Sequence, residues 1–359
     1  MLAGAQAMAQ PTLEAPPRFA VWQGLNQQWQ LGQDLLTFGI EPDFPVATHK
    51  RLETELYAGV ATRKRDSARL QAYYTFVTSP YIHAETGEVT LPIAGRRKDE
   101  VQTGVQVSRK VSGLPISQTN YTVLLQGFRW RSTSKHGLRP ERFAVEVSDG
   151  FFNAADSTVK FELTTTIAGR QRRGLAGELV VQYLLLVADG PFAHTDATLQ
   201  RSYFWDKRQP PLNDASSYQL KGDTTRAYDK MVPALQMLDF RTFRRIPWQQ
   251  FTCHIRPLAY APKQGLVEVV PTLHVQNWPE DYKAMKKRLG HGNPGLCRKK
   301  SVAELRARIS ILQFDDACIW QRPFQLGGPT GEVPWPPEQD HEATIKGKYR
   351  YTLPCKPGN

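Results

Sequence analysis

Cysteine is missing from the first 252 of the chain's 359 residues. All four cysteines, Cys253, Cys297, Cys318 and Cys355, fall in the second half, and none forms a Cys-x-x-Cys pair. That distribution argues against a disulfide framework serving the whole fold and leaves mostly free thiols, with room for one bridge. A long apolar run is missing too. The longest, Val180 to Ala188, is broken by Gln182 and falls well short of the roughly 18 to 20 residues that cross a bilayer as a helix. The first ten residues end in an Ala-x-Ala-like pattern but carry neither a basic region nor an adequate apolar stretch, so no secretory signal is expected.

The common catalytic signatures are also lacking. There is no Gly-x-Ser-x-Gly, no P-loop and no His-Glu-x-x-His. The one Gly-x-Gly-x-x-Gly, at Gly290, Gly292 and Gly295, holds Pro294 and follows a helix-compatible stretch instead of a strand, the wrong context for a phosphate. His254 and His274 fall on adjacent predicted strands, but alternation turns Cys253 and His254 to opposite faces. No metal, no cofactor and no enzymatic role is expected.

What the chain does contain is punctuation and alternation. With 26 Pro, 26 Gly and 40% hydrophobic residues, it suits a turn-rich globular protein of the all-β class. The stretch Glu178 to Asp189, ELVVQYLLLVAD, has the β-branched and aromatic content of a central strand. Its outline returns 126 positions later in Glu304 to Asp315, ELRARISILQFD. Upstream, Leu124 to Trp130 answers to Ala234 to Arg241, Phe143 to Val147 answers to Phe251 to Ile255, and Leu70 to Phe76 answers to Leu199 to Phe204. Four echoes in one order read as a duplicated all-β unit.

The expected organisation is therefore two tandem antiparallel β-sandwiches with extended arms. Residues 1–69 form an N-terminal arm with linker, in which Trp22, Leu25 and Trp29 near a helical repeat predict a short amphipathic helix. The first sandwich covers 70–190, with strands at 70–78, 87–94, 101–109, 120–131, 141–148, 157–166 and 177–188. The second covers 199–326, with strands at 199–206, 217–221, 233–244, 249–258, 265–276, 302–314 and 317–324. It carries a basic insertion at 277–300. A Pro-rich C-terminal arm, 327–359, contains a strand-like run from Ala343 to Leu353 that either completes the second sandwich or adds to a neighbouring subunit's sheet edge.

Candidate contact residues follow from this layout. Trp22 and Trp29 lie on the predicted helix, Trp248 and Trp278 near predicted loops, and Tyr349 and Tyr351 on the C-terminal run. Lys286, Lys287 and Arg288 lie in the middle of the basic insertion. The formal charge of +12 suits either a solvated basic surface or contact with nucleic acid or an anionic surface through basic loops. In architecture, over 70–326, the chain resembles double jelly-roll capsid proteins and other virion subunits, without a residue motif in common. The resemblance implies a non-enzymatic structural subunit of a virion-like assembly, binding copies of itself or other subunits through its arms. The alternative is a secreted or surface-displayed lectin-like protein, extracellular and binding carbohydrate through loop tryptophans.

Overall fold

A computed structural model describes residues 18–28, 37–43, 51–59, 68–96, 100–111, 116–117, 120–133, 138–170, 174–204, 218–242, 250–261, 266–276, 301–315, 318–326, 332–333 and 344–352. Every regular element among them is a strand. The first stretch of chain gives β1 (Arg18–Gln28), β2 (Thr37–Asp43), β3 (Arg51–Gly59), β4 (Ala68–Thr78), β5 (Ile82–Gly95) and β6 (Glu100–Lys110). The second gives β7 (Tyr121–Ser132), β8 (Arg139–Val147), β9 (Phe151–Asn153), β10 (Thr158–Arg170), β11 (Leu175–Ala188), β12 (Phe192–Phe204) and β13 (Tyr218–Lys221). The third gives β14 (Lys230–Thr242), β15 (Gln250–Ala261), β16 (Leu266–Gln276), β17 (Ser301–Phe314), β18 (Cys318–Leu326), β19 (Glu332–Val333) and β20 (Thr344–Thr352).

These strands form three antiparallel sheets. Sheet I runs β13-β16-β15-β1-β4-β18, with β19 added to β4. Sheet II runs β20-β3-β2-β7-β11-β5. Sheet III runs β6-β10-β8-β14-β17-β12, with β9 added to β10. Setting aside β9 and β19, the chain falls into three sets of six strands, beginning at β1, β7 and β14. In each set the first and fourth strands lie side by side in one sheet, the second, third and fifth enter the next sheet, and the sixth enters the one after. The exchange is cyclic, as a three-fold rotation would make it. No set owns a sheet.

Side-chain register matches the three sets residue by residue. The first strand of each carries a β-bulge against the fourth, at Gln23 in β1, Gln126 in β7 and Gln236 in β14. Counting from these bulges, Tyr74, Tyr183 and Ile309 are equivalent, as are Val77, Leu186 and Leu312. All six are buried. The bulge also switches the burial pattern. Along β11, inward and half-exposed residues alternate as far as Gln182, then everything from Tyr183 to Ala188 is buried. Beyond the bulge one face joins the large core of Tyr183, Leu185 and Val187, and the other a smaller cluster with Leu184, Leu186 and Ala188. A strand covered on both faces has no need to alternate, which is why this run is the most apolar in the sequence.

The predicted helix is not there. Arg18–Gln28 is instead β1, at the centre of sheet I between β15 and β4. The bulge explains the error: one extra residue puts Trp22 and Leu25 in the same core although they are three apart, and that spacing imitates a helical face. The same i, i+3 pairs recur as Leu125 with Phe128 and Leu235 with Leu238. Nor do the sheets divide at 190/199. Sheet III joins β6, β8 and β10 to β12, β14 and β17, and β1 pairs with β15, its Gly24 opposite His254. The expected arms are themselves woven in, since β1, β2 and β3 come from 1–69 and β19 and β20 from 327–359.

Candidate functional site

Polar chemistry inside the molecule gathers where the three central strands β1, β7 and β14 meet. An unpaired bulge residue projects its side chain away from the ladder, so each glutamine reaches a neighbouring sheet. Gln23 Nε2 donates to the Pro233 carbonyl at 3.2 Å, Gln236 Nε2 donates to the Val123 carbonyl at 3.3 Å, and Gln126 Nε2 donates to the Ala20 carbonyl at 3.4 Å. Each acceptor stands three residues before the glutamine of its own strand. The cycle closes from β1 to β14 to β7 and back to β1, and all three glutamines are buried. Beside it, the Tyr74 hydroxyl donates to the Gln126 carbonyl at 2.8 Å, and burial holds that phenol well above its usual pKa. All four donors are satisfied by backbone carbonyls, while Gln236 Oε1 is buried without a hydrogen-bond partner among the described residues.

The main ionic cluster lies on sheet III. Arg142 on β8 grips Asp239 on β14 with two bonds, Nε to Oδ1 at 3.0 Å and Nη2 to Oδ2 at 2.8 Å, and also pairs with Glu100 on β6. The hydrogen bond to Asp239 raises the guanidinium pKa further, which fixes its charge. On β17, Glu304 accepts from Arg306 at 2.9 and 3.0 Å and from Gln200 on β12. Arg142, Asp239, Arg241, Glu304 and Arg306 line a shallow depression that opens to solvent. Its three arginines face two acids on the lining and Glu100 beside it, so charge is balanced, and the network serves to bridge strands from all three sets. Among the described residues, no three His, Cys, Asp or Glu side chains gather as a metal would require.

Two further contacts stitch sets together at their edges. Arg308 on β17 reaches Glu146 at 3.3 Å, Asp149 at 4.0 Å and the Val147 carbonyl. Arg109 on β6 bonds the Tyr183 hydroxyl, sits over that ring at 5.4 Å and approaches Glu85 at 3.7 Å.

The sequence-derived contact residues divide into three groups. Trp22 is fully buried, its Nε1 donating to the Gly24 carbonyl at 2.9 Å and its ring edge-on to Phe128 at 5.9 Å, so it is a core residue and not a docking residue. Trp29, Trp248, Trp278, Lys286, Lys287 and Arg288 lie outside the described residues. Tyr349 and Tyr351 stand on β20 opposite Thr54 and Leu52 of β3, so the C-terminal run pairs within its own chain, at the edge of sheet II. Sequence reasoning missed the glutamine cycle. Its signal was present as Trp22-Gln23-Gly24-Leu25, Leu125-Gln126-Gly127-Phe128 and Leu235-Gln236-Met237-Leu238, a glutamine between apolar residues in each. No helix among the described residues is long and apolar enough to cross a membrane. Neither family models nor curated proteins nor solved structures give a match to the chain.

Proposed function

We propose that the protein is a non-enzymatic structural subunit of a larger, virion-like assembly, in which one chain supplies a block that would otherwise take three subunits. The observation that carries this reading is the cyclic exchange of strands among three sheets. Such interlocking resists mechanical separation, because no set of strands can leave without opening all three sheets. The use of charge supports it further. Arg142 is bound to Asp239 and Glu100, and Arg308 to Glu146, across strand and set boundaries, in the manner of groups that hold a shell together. The +12 charge favours a polyanionic neighbour, nucleic acid or an anionic surface.

Light scattering over a range of protein and salt concentrations tests the reading. Species well above 40.6 kDa, falling apart as salt rises, are expected. A monodisperse monomer under every condition overturns it.

A further inference from the structure

We infer that the surface each set of strands presents to the other two is homotypic: its natural partner is another set of the same kind, and the chain is a trimer of one intertwining unit joined end to end. The inference stands apart from the assembly role above and concerns what holds the block itself together.

Three observations carry it. No set has a sheet of its own, so a set can bury its apolar faces only by lending strands to two others. The glutamine cycle gives every set the same two roles, since each donates a side-chain N–H to one neighbour and offers a carbonyl to the other. That is a head-to-tail contact whose rotation closes after three, the geometry of a cyclic trimer. Finally, the apolar positions that pack between sets agree, whereas the charged positions outside that core do not. Trp22, Leu125 and Leu235 are all buried, as are Leu25, Phe128 and Leu238. By contrast, Arg129 is matched by Asp239, which pairs with Arg142 of another set, and half-buried Val180 by exposed Arg306, so the charged positions are not shared. What the sets share is their mutual contact.

The test uses the full chain with two specific protease sites, one inserted between Gly113 and Leu114 and one between Arg226 and Ala227. After cleavage of both, native mass spectrometry is expected to show the three fragments still together at the mass of the intact variant, with an unchanged near-ultraviolet spectrum. After dissociation in concentrated urea and dilution, assemblies holding two or three copies of one fragment are expected beside those holding one of each. Fragments that separate on cleavage, or that reassemble solely as one of each, would overturn the inference. Should the second site disturb folding before any cut, the variant with the Gly113 site alone decides: a complex of three copies of the 1–113 fragment is expected after reassembly, and its absence counts against the proposal.

Discussion

Gln126 shows how one side chain can serve both register and contact. Its bulged backbone shifts the pairing of β7 with β11, and its amide holds Ala20 of another sheet. Removing the amide leaves a buried carbonyl without its donor, so Gln126→Ala is expected to cost about 1 to 3 kcal/mol, read from the urea midpoint. Gln23→Ala and Gln236→Ala should fall in the same range, and combining all three should depart from the sum because they form one cycle. A loss below experimental error for all three would show the ring to be idle. Asp196 offers a test by pH. Partial desolvation on β12, then the negative charge of Asp149, raises its carboxyl pKa, while the positive charge of Arg308 partly offsets both. A raised folded value means that Asp196 favours the fold below its unfolded pKa, near 3.9, and that this contribution is lost as pH climbs through the folded value. Asp196→Asn is therefore expected to raise the melting temperature at pH 7 and leave it nearly unchanged at pH 3. The opposite ordering would refute the assignment.

At the scale of the strand, spacing and face are what the bulges control. Alternation revealed most strands from Ala68 onward, though not the short β9 and β19, because their outer halves keep one wet side, as in β6, where half-exposed and exposed residues alternate. The same reasoning failed at β1, since Trp22 and Leu25 reach one core across a bulge and periodicity cannot distinguish that from a helix turn. Deleting Gln126 tests the bulge itself. Without the extra residue Leu125 and Phe128 would stand two apart, opposite Tyr183 and Val181 in a regular ladder and still on one face, so the near-ultraviolet signal of the buried aromatics is expected to survive with the loss confined to the Gln126 contacts; a lost spectrum would contradict the role given to the bulge. Close packing on the same strands gives an independent check. A Cβ at Gly177 would stand 2.2 Å from Cη2 of Trp130, which is fully buried and has nowhere to go. Gly177→Ala is expected to cost about 1 to 3 kcal/mol by overpacking, measured by the same denaturation.

For the molecule as a whole, the duplication read from sequence caught two sets of three. The pairs 178–189 with 304–315, 124–130 with 234–241 and 143–147 with 251–255 are true equivalents by register, as β11 with β17, β7 with β14 and β8 with β15. The fourth pairing went astray, because the counterpart of β4 is β11 and not β12. The first set stayed hidden for two physical reasons: its central strand imitates a helix, and its spacing differs, with Tyr74 lying 109 residues before Tyr183 but Tyr183 lying 126 before Ile309. Cyclic exchange could not be read from the sequence, since nothing in one strand says which sheet it will join. It does make a prediction that tandem sandwiches would not. Two separate domains would melt in two steps, whereas three sheets that each draw on all three sets can open only together. One calorimetric transition, with equal calorimetric and van't Hoff enthalpies, is expected if unfolding is reversible. Refolding should also be slow, on the order of seconds or longer, because pairs such as Gly24 with His254 close loops of 230 residues before sheet I is complete. Two resolved transitions, each abolished by mutations in one half alone, would show that the halves fold apart and that the shared sheets do not couple them.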